Sequence, residues 1–176
     1  MAARDLMPHV SPSGSPLTSA YPVAAATTIL VGEPVVLNAG GELVLAGTNP
    51  AAVLGVAAES SVRSGSHLPG GAYANTTFAA GRKVTVYKPT DDALFKTLNF
   101  ARDGAGTAVT PAQTDLGDQA GFTLVGGVWM LDTGAGNLIA EVEDILDAQG
   151  NPIAIAAGQS ILFGVATTVV FRFLAR

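Results

Sequence analysis

Between Arg82 and Pro89 the chain reads RKVTVYKP, and its apolar positions alternate: Val84 and Val86 on one side, Lys83, Thr85 and Tyr87 on the other. A period of two is that of a strand with one buried face, so this segment predicts the clearest strand in the chain. Upstream, VVLNAGGELVL (Val35 to Leu45) has two short apolar runs around Asn38-Ala39-Gly40-Gly41, a turn able to supply the positive φ angles of a hairpin. TTILV (Thr27 to Val31) is β-branched and predicts a further strand. AAVLGVAAESS (Ala51 to Ser61) is small and apolar as far as Glu59. Such a run fits a strand covered on both faces, with Gly55 allowing close approach of another backbone. A short buried helix has the same periodicity, but Gly55, Pro50 and Ser60-Ser61 disfavour it.

Past Pro89 the composition shifts. TDDALFKTLNF reads both ways, Leu94 and Leu98 suiting a helix, Phe95 and its neighbours a strand. Beyond it, turns at Gly104, Gly117, Gly126-Gly127, Gly134 to Gly136, Gly150 and Gly158 separate short apolar runs, as in a sandwich or small barrel. The expected fold is all-β, in two modules over residues 23–90 and 91–176, with no exact internal repeat. Residues 61–81 form a long loop with little periodicity. Residues 1–22 carry Pro8, Pro12, Pro16 and Pro22. Proline removes donors and holds its neighbour extended, so this stretch predicts an arm, neither helix nor central strand, with no fold of its own. Leu6, Met7, Val10, Leu17 and Tyr21 are the side chains such an arm would place in pockets of a partner that accepts it as an added strand.

Composition narrows the function classes. Hydrophobic residues make up 48% of the chain and charged residues 13%, where an ordinary soluble domain carries about 25% charge. A surface so poor in charge suits a subunit partly buried against others, and a homotrimer is the expected assembly. The net charge of -5 and scattered Lys and Arg argue against nucleic acid as a direct partner, since binding there rests on clustered cations. ILFGVATTVVFRFLAR, the most apolar stretch, is interrupted by Gly164 and Arg172 and falls short of the ~20 residues of a spanning helix, so no membrane partner is expected. The opening MAARDLMPHVSPSGSP lacks the apolar core of a secretory signal. With no cysteine, thiolate metal sites and cysteine nucleophiles are excluded.

Candidate chemistry is sparse. His9 lies in the arm and His67 in the Gly/Ser loop, neither beside a partner pattern, and no nucleophile elbow, zinc-protease or phosphate-loop motif occurs. Asp115, Asp118, Asp144 and Asp147 could together hold calcium, but Asp is also a default turn residue that bonds its own backbone, and turn chemistry is the expectation; no cofactor or metal is expected. Trp129, within GVWMLD, fits a core position better than a sugar-stacking platform.

Two segments carry a family likeness. GEPVVLNAGGELVLAGTNPAAVLGVAAESS, followed after the long loop by AAGRKVTVYKPTDDALF, resembles the decoration module of lambda-like phages. TDLGDQAGFTLVGGVWMLDTG, AEVEDILDAQGNP and the closing VVFRFL are similar to a barrel module of larger phage cement proteins. The resemblance, to the capsid decoration (cement, head-stabilising) proteins of tailed bacteriophages, implies a β-tulip-like module followed by a small β-barrel. It also implies a homotrimer on the outer surface of an icosahedral head, made in the host bacterial cytoplasm, non-enzymatic, with the major capsid protein as partner. The loop over 61–81 and the complete second module depart from the lambda-like pattern. A carbohydrate-binding β-module, stacking sugars on Trp129, Tyr73 or Phe78, is the first alternative, and a hydrolase whose carboxylates converge only in three dimensions is the second.

Overall fold

The computed structural model describes residues 6–9, 17–63, 76–77, 82–90, 93–153 and 167–174. Among these the protein is all-β: there is no α-helix, only one 3-10 turn (Gln113–Asp115), and hence no helix long and apolar enough to cross a membrane. The chain divides into two compact units. The smaller comprises Thr18–Ala46 and Val53–Lys88; the larger comprises Met1–Leu17, Gly47–Ala52 and Pro89–Arg176.

β1 (Met7–His9) belongs to the larger unit. The smaller unit is built from β2 (Thr18–Pro22), β3 (Pro34–Leu37), β4 (Leu43–Leu45), β5 (Gly55–Ala57) and β8 (Lys83–Tyr87), in the order β2-β8-β5-β3-β4. Between β5 and β8, β6 (Val62–Arg63) and β7 (Thr76–Thr77) pair as a ribbon of their own. Val84 and Val86 turn inward as their alternation predicts, joining Val23, Ile29, Val35, Leu43 and Ala57 in one core. The hairpin β3–β4 closes through Asn38, whose Oδ1 accepts from the N–H groups of Gly40 and Glu42, with Gly41 at φ 76°. β5 is buried at all three residues, and a Cβ on Gly55 would land on the Tyr87 carbonyl oxygen; that glycine is set by backbone approach. Thr27 to Val31 differs from expectation. Ile29 is buried, but its backbone bonds run to Ser61 (Ile29 N–H to Ser61 Oγ, 2.7 Å; Ser61 N–H to Ile29 O, 2.8 Å) instead of to a neighbouring strand.

The larger unit contains β9 (Leu94–Thr97), β10 (Phe100–Ala101), β11 (Gln119–Val125), β12 (Val128–Asp132), β13 (Ala140–Leu146) and β14 (Thr168–Phe173), in the order β1-β9-β14-β13-β11-β12-β10. Segment 93–101, ambiguous in sequence, is extended, because Phe95 is needed in a cluster with Phe122, Phe171 and Phe173, ring centroids 5.1–6.0 Å apart. Only Leu98 and Asn99 separate β9 from β10. The ladder that leaves β9 through β14 therefore returns to the same stretch of chain through β12. Five strands closed in a ring cannot all alternate in direction, and the one parallel pair is β10 with β12.

The smaller unit closes the same way. Val23, next after β2, bridges Leu43 of β4 in parallel, and every other pairing in its ring is antiparallel. Numbered within each unit, both rings run first, fifth, fourth, second, third strand. The register agrees residue by residue. Val35 opposes Gly55 as Ala120 opposes Ala140, and Ala57 opposes Val86 as Val142 opposes Phe171, each partner lying 85 residues further on. Turn bonds follow suit: Gly32 N–H to Ala57 O and Ala57 N–H to Glu33 O recur as Gly117 N–H to Val142 O and Val142 N–H to Asp118 O. Gly32 and Gly117 share a positive φ, 86° and 81°. The two units are one architecture used twice.

Candidate functional site

The residues expected to meet a partner are the N-terminal ones. Leu6 is 1% exposed, inside the protein's own core, and Met7 is 45% exposed on β1, which pairs antiparallel with β9. Val10 lies outside the described residues. Leu17 is 66% exposed. Tyr21 packs against the core of the smaller unit, with the Lys88 ammonium 5.6 Å from its ring centroid. The stretch expected to have no fold of its own is thus partly strand. β2 is a full member of its sheet, paired with β8 from Thr18 to Pro22. Its proline does not prevent this: Val23 N–H donates to Arg82 O, so alternation turns the Pro22 nitrogen away from β8, where an edge strand needs no donor.

The described carboxylates hold loops in place. Asp132, 0% exposed at the end of β12, uses Oδ1 for the N–H groups of Gly104 (3.0 Å) and Gly134 (2.9 Å). Its Oδ2 takes the N–H of Gly106 (3.2 Å) and the Thr123 hydroxyl (3.2 Å). One anion with four donors satisfies the polar groups of two glycine-rich loops that could not otherwise be buried. Asp115 receives the Arg102 guanidinium in a two-pronged pair, Nε to Oδ1 and Nη2 to Oδ2, both 2.6 Å, and also the Ala112 N–H. The hydrogen-bonded carboxylate raises the Arg102 pKa further. Asn49, at φ 53°, is one of the few residue types that tolerate that conformation. Its N–H donates to Phe122 O, and its carbonyl and side-chain oxygens take the Asn137 side chain and N–H at 2.7 and 2.8 Å. On β14, Arg172 bridges Glu141 and Glu143 of β13.

The four candidate calcium ligands are not brought together: among the described residues no three His, Cys, Asp or Glu side chains gather as a metal site. Asp147 instead closes its own turn, accepting from the N–H groups of Gln149 and Asn151, and the Asn151 backbone and side-chain donors hold its carboxyl below the usual aspartate range. Asp144 accepts from the Ile145 N–H. Asp103 is lowered by the Thr107 hydroxyl and backbone N–H, and Glu59 by the Thr85 hydroxyl and N–H. Each of these three shifts favours the anion, the opposite of what a general acid near neutrality requires. Comparison with protein-family models, with curated proteins and with solved structures returned no match.

Trp129 is 0% exposed, a core residue; Tyr73, Phe78 and His67 lie outside the described residues. Sequence reasoning passed over Asp132, Arg102 and the Asn49–Asn137 pair. The available signals were an aspartate ending an apolar strand before Thr-Gly, and an Asn-Pro step inside a loop. What the site region does chemically is adhesive: ionic and amide groups tie loops to strands.

Proposed function

We propose that this is a structural virion protein that binds the outer surface of an icosahedral phage head and stabilises contacts between major capsid proteins. The observation that carries the reading is the division of the chain. The first segment bearing the decoration-protein likeness lies in the smaller unit apart from Gly47–Ala52 and residues 89–95, with GEPVVL…GVAA…VTVYK as its strands, and the second lies in the larger unit, GFTLV…VWMLD…AEVEDIL…VVFRF. In this reading the smaller unit is the β-tulip-like decoration module and the larger the small barrel of bigger cement proteins. The protein acts as a homotrimer, through surfaces and without catalysis, cofactor, nucleic acid or membrane.

Two further features support it. The chain is poor in charge, 13% of its residues, as befits a subunit partly covered by others, and large apolar side chains, among them Leu17, Leu37 and Leu98, stand exposed. A sugar-binding reading loses its main platform, since Trp129 is buried. The test is co-sedimentation of the purified protein with empty heads of the phage that encodes it, alongside its mass by light scattering. Saturable pelleting and a mass of three chains are expected. A protein that stays in the supernatant at micromolar concentration would remove the reading.

A further inference from the structure

The repeated architecture allows each edge in one unit to be compared with its twin. In the larger unit the first strand of the ring, β9, pairs on one side with β14 and on the other with β1, Met7 opposite Lys96, Pro8 opposite Phe95 and His9 opposite Leu94. Leu6, just ahead of that ladder, is buried. In the smaller unit the place of β9 is taken by β2. Thr18, Ser19 and Ala20 face Tyr87, Val86 and Thr85 as Leu94, Phe95 and Lys96 face Arg172, Phe171 and Val170.

The Val23 N–H to Arg82 O bond fixes the sense of the alternation along β2. Ser19 and Tyr21 direct their backbone groups to β8, and Thr18 and Ala20 direct theirs outward. Thr18 and Ala20 are both exposed, and among the described residues no strand pairs with that side. An outward row of donors and acceptors is a template for another strand.

We propose that the outer edge of β2, Thr18 to Ala20, is a strand-acceptor site that takes an extended segment of a partner protein, antiparallel, as β9 takes β1. Among the described residues there are two such edges and one N-terminal strand, and that strand is engaged on β9; a second copy offers no further strand of this kind among them, and the donor assigned to the site is a different protein. β1 shows what fits: a short extended segment with an apolar anchor just ahead of the paired residues, as Leu6 stands before Met7, and tolerant of proline, as at Pro8. Pro22 has no N–H to offer, which limits the ladder to the first part of β2. Under the function proposed above the donor is the capsid subunit, and to that extent the inference rests on that reading.

The experiment is amide hydrogen exchange by NMR on the full-length protein, free and titrated to millimolar concentration with the hexapeptide DLMPHV, the sequence of residues 5–10. In the free protein Thr18 and Ala20 should exchange fast while Ser19 and Tyr21 are slow; peptide should slow Thr18 and Ala20 and leave the other two unchanged. Alongside it, Ala20→Pro deletes an outward donor at the same parity as the native Pro22, so its melting temperature should match the parent's. Its affinity for empty heads should fall about tenfold, the scale of one lost backbone hydrogen bond at a site that must stay paired. Slow exchange at Thr18 and Ala20 in the free monomer, or no protection by peptide at saturation, overturns the site. Protection that grows with protein concentration instead, together with a rise in mass, overturns the choice of partner in favour of a second copy. Heads that bind parent and Ala20→Pro equally well also count against the site. Heads that bind neither protein dismiss the capsid reading, and the peptide titration then decides the acceptor edge by itself.

Discussion

Replacing Asp132 by alanine tests whether a single buried anion holds the loops of the larger unit. The change removes the acceptor for four donors: the N–H groups of Gly104, Gly106 and Gly134 and the Thr123 hydroxyl. Hydrogen bonds to a charged group are each worth about 1.5–3 kcal/mol, and a buried donor left without a partner costs about 1–3 kcal/mol. Two of the four bonds are only part-buried, and water reaching those N–H groups would offset some of the loss. Counting the two fully buried donors in full and the others at a fraction gives a destabilisation of about 3–5 kcal/mol, a large share of the ~5–15 kcal/mol of a typical domain. The chain's one tryptophan is the reporter: Trp129 is buried in the same strand, three residues from Asp132. Urea unfolding followed by its fluorescence should show a midpoint well below the parent's at unchanged slope. A loss under about 1 kcal/mol would mean that the loops find other acceptors at little cost, and the hub would be no hub.

Two other outcomes follow from the same structure. Gly121→Ala should abolish soluble expression or unfold the larger unit, because its Cβ would land on the Asn137 carbonyl oxygen, whereas Gly47→Ala, with open space around it, should fold normally; equal behaviour of the two, read by yield and circular dichroism, refutes the packing argument. The carboxyls of Asp103 and Asp147 should titrate by carbon-13 NMR below the ordinary aspartate value of about 3.9. A depressed folded-state pKa means that their stabilisation is present above the unfolded value and lost as pH falls through the folded one. Asp147→Asn should therefore flatten the acid limb of the stability profile, and an unchanged limb refutes the assignment.

The sequence was most legible where one side chain sees one environment. The alternation of Val84 and Val86, the Asn38 turn and the doubly buried β5 could be read directly, because burial and φ angle constrain those residue types. β2 escaped notice because its proline, read as a strand breaker, sits on the outward parity of an edge, which depends on a pairing with Arg82 that no local pattern contains. Thr27 to Val31 misled in the opposite sense: β-branched residues favour extended backbone, but the hydrogen bonds of Ile29 go to Ser61, 32 residues away. The repeat was hidden for a related reason. What recurs is register and turn bonding, while the side chains at matched positions differ in size, Val35 with Ala120, Gly55 with Ala140, Val86 with Phe171. Among the matched positions, Gly32 with Gly117, Val84 with Val169, Leu43 with Leu131 and the acidic pair Glu33 with Asp118 keep their chemistry. Asp132 was passed over because its four donors lie in two loops and a neighbouring strand, brought together only by the closed ring.

The interleaved path of the chain has a consequence for synthesis. The smaller unit has all five ring strands once Tyr87 has been made, so it can close while the rest is still being translated. The larger unit draws on β1 and on Gly47–Ala52, which leave the ribosome early but find their partners, β9, Phe122 and Asn137, only later. Its last ring strand, β14, follows β1 by more than 150 residues, so β1 waits for the whole of that stretch before the ring it docks on is closed. A stop after Tyr87 but before β14 leaves a finished smaller unit and an open ladder with Phe95 and Phe122 unpartnered by Phe171 and Phe173, so such truncated products should be marked for aggregation or degradation and should not compete with the intact protein.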